Sequence, residues 1–136
     1  MQQSRLPAPA LVNEDLGDQR RRHEEQGQRR VAVLGGTCLT WELLSGKDLA
    51  VFHELMPPGT AEVRHFHQNA RQFFFVLKGE LTIEALGGEY SLHQHEGLEI
   101  PPGEIHHVRN VSASTTEFLA IAHPITFGDR VLPGVL

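Results

Sequence analysis

Residues 59–79 read Gly59-Thr60-Ala61-Glu62-Val63-Arg64-His65-Phe66-His67-Gln68-Asn69-Ala70-Arg71-Gln72-Phe73-Phe74-Phe75-Val76-Leu77-Lys78-Gly79. His65 and His67 stand two apart in a strand-like run, so both leave the same face of it, with Arg64 and Phe66 on the other. Two residues of strand rise about 6.6 Å, a span that two imidazoles bridge to a common ion. Gln68-Asn69-Ala70-Arg71 lets the chain turn before Gln72 re-enters beside them. Further on, Pro101-Pro102-Gly103 makes a rigid turn ahead of His106 and Asn110. Three imidazoles and one amide oxygen can converge on one point, and a metal site is the first hypothesis.

Outward from this stretch the chain is a series of short apolar runs separated by turn residues. The runs are Val31–Leu34, Thr37–Leu44, Leu49–Met56, Glu62–His67, Gln72–Leu77, Leu81–Leu86, Glu89–His93, Leu98–Ile100, His106–Asn110 and Thr116–Ala122. Between them stand Gly35-Gly36, Ser45-Gly46, Pro57-Pro58-Gly59, Lys78-Gly79, Gly87-Gly88 and Pro101-Pro102-Gly103. Strands with frequent turn signals and no helical period predict an all-β sandwich or barrel. No repeat and no second domain is visible.

The two pieces together resemble the paired motifs of the cupin superfamily. The first runs Gly, five residues, His-x-His, three or four residues, Glu, six residues, Gly. It is met by Gly59, His65, His67 and Gly79, with Gln72 in place of the Glu. The second runs Gly, five residues, Pro-x-Gly, two residues, His, three residues, Asn. Pro101, Gly103, His106 and Asn110 match, whereas its leading Gly would fall at His95, with Gly97 two places late. The resemblance spans about residues 37–125 and implies a double-stranded β-helix, or jelly-roll, barrel. It says little about activity, because one fold hosts many chemistries. Isomerases, epimerases, dioxygenases, decarboxylases and binding modules all use it.

The expected cofactor is one divalent transition metal (Zn, Fe, Ni, Mn or Cu), bound by His65, His67 and His106 with Gln72 as a fourth or optional ligand. Three protein ligands with open positions describe a catalytic site better than a structural one. Gln72 matters because an amide oxygen is a neutral, weaker donor than a carboxylate. With three neutral imidazoles it leaves a divalent site at a charge of about +2, so that a bound water or anion feels more positive charge. Gln72 either ligates the ion or hydrogen-bonds a bound compound. A metal-free barrel whose histidines bond one another is the remaining reading.

Parity along the strands puts Phe74 and Val76 on the face of Gln72, and Val108 and Asn110 on that of His106. These predict a largely apolar pocket around one polar centre, suited to a small molecule with an aromatic or apolar body. His53 and Trp41 are further candidates for its mouth. Phe73 and Phe75 read as plain core packing. Glu54 and Glu84 could supply a carboxylate if their strands face inward. Oxidative chemistry on an aromatic or enediol-like substrate is the expected activity, and a non-catalytic binding or sensing module is the alternative.

The chain's 136 residues suit one domain with a real core, and its 40% apolar content suits a globular protein. A formal charge of −5 gives no basic footprint for nucleic acid. The single cysteine, Cys38, excludes an intrachain disulfide and fits a reducing compartment. No signal-peptide pattern and no membrane-spanning run is present, so a cytoplasmic location is expected. Residues 1–30 hold six of the twelve Lys and Arg and little that is apolar, which predicts a charged tail, Arg20-Arg21-Arg22 included, ahead of a barrel over 31–136. Homodimers are common among cupins, and Val31–Leu34 is a candidate edge for pairing.

Overall fold

The structure is a computed structural model describing residues 28–126 and 128–134. Most of the expected tail, Arg20-Arg21-Arg22 included, lies outside the described residues. Arg29 and Arg30, grouped with the tail by their charge, begin the first strand.

Eleven strands and no helix occur among the described residues. They are β1 (Arg29–Val33), β2 (Gly36–Ser45), β3 (Ala50–Met56), β4 (Phe66–His67), β5 (Arg71–Lys78) and β6 (Leu81–Ala85). Then come β7 (Gly88–Leu92), β8 (Gly97–Ile100), β9 (His107–Arg109), β10 (Thr116–His123) and β11 (Arg130–Val131). A six-stranded sheet in the order β1-β2-β3-β10-β5-β8 faces a three-stranded sheet β7-β6-β9, and β11 pairs with β4. All pairings are antiparallel. This is the double-stranded β-helix that the motifs imply.

Alternation decides what faces inward. Along β10, Thr116, Phe118, Ala120 and Ala122 are buried while Glu117, Leu119 and Ile121 are less so. β5 behaves likewise, with Phe74 and Val76 buried between more exposed neighbours. The core gathers these with Met56, Leu81, Ile83, Ile100 and Val108. Burying a side chain such as Phe118, which has no exposed surface, contributes about 2–3 kcal/mol. Phe73 and Phe75, expected in the core, take the outer face instead. Their rings stack 6.3 Å apart, and Phe73 stays 39% exposed. An inner face for Phe74 on an extended strand leaves its neighbours no other choice.

Two turn positions explain the sequence pattern. A Cβ on Gly79 would stand 2.7 Å from the Thr115 carbonyl oxygen, and its φ is +88°, so only glycine fits without strain. His95, where the second motif begins with Gly, does adopt a left-handed φ of 69°. The turn keeps its shape there and bears a strain of about 1 kcal/mol in place of the glycine. Among the described residues no helix is long and apolar enough to cross a membrane.

Candidate metal centre

Backbone bonds join the two halves of the site. His65 and His106 form an isolated antiparallel pair: His65 N–H donates to His106 O (3.1 Å) and His106 N–H to His65 O (2.8 Å). Residues that exchange both bonds project to the same side of the sheet, so the two imidazoles meet, with ring centroids 4.5 Å apart. His67, one strand period on, lies 5.0 Å from His65 and 6.0 Å from His106 by the same measure. Gly103 N–H donates to His67 O (2.8 Å), which ties the Pro101-Pro102-Gly103 turn to β4. The left-handed φ of Gly103, 82°, is what lets the turn close there.

The rings are also aimed. His65 Nδ1–H donates to Val63 O (2.8 Å) and His106 Nδ1–H to Glu104 O (3.0 Å). These bonds fix the tautomer and leave each Nε2 with a free lone pair, the usual outer support of a metal-ligating histidine. One ligand nitrogen from each of the three buried histidines falls within 4.8 Å of the others. Burial pushes His65 down to about 3, with its bond to Val63 working against the shift. Burial, and after it the charge that His106 would carry, takes His67 to about 4. Burial lowers His106 too, against its Glu104 bond. All three are therefore neutral at physiological pH, the form that binds a cation.

His106 Nε2, His67 Nδ1 and Gln72 Oε1 are buried without a hydrogen-bond partner. An orphaned buried polar atom costs about 1–3 kcal/mol, so three clustered ones want an explanation. A cation held by these lone pairs would supply it, and the donor set fits a borderline-soft transition metal.

His67 and Gln72, with His65, open into a cavity of about 460 Å³. One wall is apolar: Val31 and Val33 of β1, Phe52 of β3, Ala120 and Ala122 of β10. The rest is polar: His65, His67 and Gln72, then Thr40, Glu54, Glu62 and Arg130. Burial, and after it the charge of Glu62, lifts Glu54 to about 8. Burial raises Glu62 as well, while the Arg130 guanidinium pulls it back. Both keep some accessible surface because the cavity itself reaches them.

The family model of the cupin domain matches residues 52–122, from β3 to the end of β10, and so takes in all three histidines and Gln72. The chain is a cupin. Over 57 residues it is 33% identical to a Streptomyces cyaneus protein named polyketide synthase CurC. That match takes in 42% of this cupin and 37% of its relative, so the chain covers well under half the length of the curated protein it matches. Among solved structures it is similar to a predicted oxalate decarboxylase from Thermotoga maritima, with TM-score 0.68 and 22% identity over 76% of this chain and 96% of that one. It is also similar to KdgF from Halomonas sp., with TM-score 0.67 and 16% identity over 77% and 94% of the two chains. The polyketide cyclase RemF from Streptomyces resistomycificus is a further neighbour, with TM-score 0.58 and 20% identity over 65% and 66%. At such identities the likeness speaks for the fold.

Of the residues expected at the cupin's pocket, five lie elsewhere. Phe74, Val76 and Val108 share the parity of the ligands but sit deeper, inside the packed core, with at most 3% of their surface exposed. Phe74 still touches the site from below, its ring centroid 6.0 Å from that of His106. His53 and Trp41 lie on the outer face, because Phe52 and Glu54 of β3, and Cys38 and Thr40 of β2, take the inner one. There Trp41 and His53 stack at 4.8 Å, and His53 Nε2 bonds Glu117 (3.0 Å). Asn110 is consumed locally: its side-chain N–H groups donate to Met56 O (2.9 Å) and Ser114 O (2.8 Å). Of the two acids left open, Glu54 faces the cavity while Glu84 pairs with Arg64 outside (2.7 Å).

Three contributors went unread in the sequence. In the sequence Glu62 reads as an ordinary residue of the run Glu62–His67. Asp129 accepts from Asn69 N–H (3.0 Å) and Ala70 N–H (2.9 Å), holding the turn that returns the chain from His67 to Gln72. Arg130 pairs with His67 across β11 and β4. No local pattern marks the last two, since their place depends on the chain's return to β4.

Proposed function

We propose that this cupin binds one divalent transition metal through His65, His67 and His106, with Gln72 as the fourth donor, and acts with it on a small organic compound held in the adjoining cavity. The observation that carries this reading is the cluster of buried lone pairs without partners, opening into a half-apolar space large enough for a small ring system. When bound, the metal would supply Lewis acidity or a redox centre for an aromatic or enediol-like substrate, the oxygenase-type chemistry. The chain's own residues do the rest. The Val63 and Glu104 carbonyls aim the imidazoles of His65 and His106, while burial keeps them neutral. Val33 and Phe52 cover the occupant's apolar side. A compound of polyketide type fits these walls, and the curated relative's name supports that class.

A second reading, binding or sensing without turnover, is favoured by Gln72, whose amide offers no acid or base where the motif usually carries Glu. Turnover of a substrate that is lost in His106→Ala separates the two. The exposed β1 edge, with Val31 44% and Leu34 just beyond it 59% exposed, supports pairing of two copies. A dimer mass in light scattering is the expected result.

The test of the metal is elemental mass spectrometry on protein purified without an affinity tag or chelator. Near-stoichiometric Fe, Mn, Ni, Cu or Zn is expected, and its loss in the His65→Ala/His67→Ala protein. No metal after reconstitution would refute the reading.

A further inference from the structure

We infer that Glu54 and Glu62 form a proton-transfer pair that works on an enolisable carbonyl compound held beside the histidines. The inference rests on the reading of the cavity as a small-molecule site and deepens it by naming the substrate's reactive group.

The two acids reach the cavity from different parts of the chain, Glu54 from β3 and Glu62 from the segment ahead of β4, and both line it with His65, His67 and Gln72. Thr40 stands directly across from Glu54 in the β2–β3 ladder and lines the same space. Its hydroxyl belongs to a residue only 8% exposed and has no hydrogen-bond partner. A buried hydroxyl left open toward a cavity points to a polar atom on the occupant.

The two carboxyls are not equivalent. Around the cavity, the titratable and charged groups facing Glu54 among the described residues are Cys38, Glu62, His65, His67 and Arg130. Arg130 acts on Glu62, and the mutual repulsion of the two acids opposes a second ionisation once the first has occurred. Two carboxylates in one buried site do not both ionise readily. Burial raises both acids, but Glu62 has Arg130 to favour its charged form, so of the two Glu62 ionises first and Glu54 keeps the proton: a base and an acid lining one cavity.

A ketone with a hydrogen on the adjacent carbon uses both. Glu62 takes that hydrogen as a proton, breaking the C–H bond and forming an O–H bond. The released pair becomes the C=C bond of the enol, and the carbonyl π pair moves to oxygen. Glu54 gives its carboxyl proton to that oxygen. No electrons leave the substrate, and the reverse step restores both acids. The apolar wall holds the carbon skeleton, and Thr40 is placed to orient the oxygen.

The test is hydrogen–deuterium exchange at the carbon beside the carbonyl of 1-tetralone, an aromatic ketone, followed by proton NMR in D₂O with the metal-loaded full chain. Exchange faster than buffer is expected. Glu62→Gln should slow it by about 100-fold or more, and Glu54→Gln by about 10-fold, since an amide still donates a hydrogen bond. Thr40→Val should raise KM more than it lowers kcat. Circular dichroism and metal content matching wild type would show that the variants fold and load. Exchange that survives in both Glu variants overturns the pair and leaves the metal reading intact, as does a metal-loaded wild type that does not beat buffer. Exchange that needs both acids yet persists in His65→Ala/His67→Ala upholds the pair and sinks the metal reading.

Discussion

Along β10, Phe118 is wholly buried at one end of the barrel, while Ala120 and Ala122, two and four residues on, line the cavity at the other. β5 makes the same change from Val76 and Phe74 to Gln72, and β3 from Met56 to Glu54 and Phe52. The β10–β3 pairing is continuous across both regions, and the β10–β5 pairing is regular from Phe118 onward, so along that stretch the difference lies in the side chains. Where inward positions carry large apolar groups the barrel closes on itself. Where they shrink to alanine or turn polar, space remains and buried polar atoms go unpartnered. Stability and function thus divide along single strands at intervals of two residues.

The sharpest break in that comparison is a matched pair of changes on β10. Phe118→Ala should destabilise by about 3–5 kcal/mol in urea titration, the cost of emptying a filled core. Ala120→Leu, which grows into the cavity, should cost under about 1.5 kcal/mol yet abolish ligand binding. Equal losses of stability would mean that the two regions are packed alike.

Acid–base behaviour should split the regions next. His65 and His67, at about 3 and about 4 in the folded chain against 6.5 unfolded, bind protons more readily when unfolded. Their contribution to stability is complete above pH 6.5 and is lost as pH falls from there toward the folded values. Glu54 runs the other way. At about 8 folded against 4.5 unfolded, it holds its proton in the native state. Its contribution is complete below pH 4.5 and is lost as pH rises through 8. Metal-free protein should therefore weaken on both the acid and the alkaline side. Glu54→Gln should flatten the alkaline limb by about 1–2 kcal/mol, after allowance for water in the cavity. An unchanged alkaline limb would show that Glu54 is not held protonated.

Gln72→Glu sharpens the polar side alone. A carboxylate in place of the amide should tighten metal binding by about tenfold in calorimetry, through added ligand charge. No change would put Gln72 off the metal. The smallest effect belongs outside the barrel. Trp41→Leu should cost under about 1.5 kcal/mol, the worth of a stacked pair beyond its burial, and leave metal and ligand binding untouched. A loss of binding would mean that the outer stack of Trp41 on His53 reaches the site.

The histidine pair, the Pro-Pro-Gly turn and the strands themselves were legible because each depends on local rules: a period of two, fixed φ at proline, left-handed turns. Glu54 was only half legible, since its strand could face either way until β2 and β10 flanked it. Phe74, Val76 and Val108 were read correctly for face and wrongly for depth. Parity says which side of a sheet a residue takes. It carries nothing about how far along the barrel the space ends.

What this sequence determined by itself is an all-β sandwich or barrel and the shared face of His65 and His67, because strand alternation and turn stereochemistry act over a few residues. The jelly roll and the arrival of His106 were implied by the resemblance of the paired motifs. Only the tertiary structure decided which inward positions line a cavity and that Arg130 and Glu62 stand at it. Depth and distant neighbours come from sheet packing and from β11 returning to β4. Both couple residues far apart in the chain, beyond the reach of any local pattern.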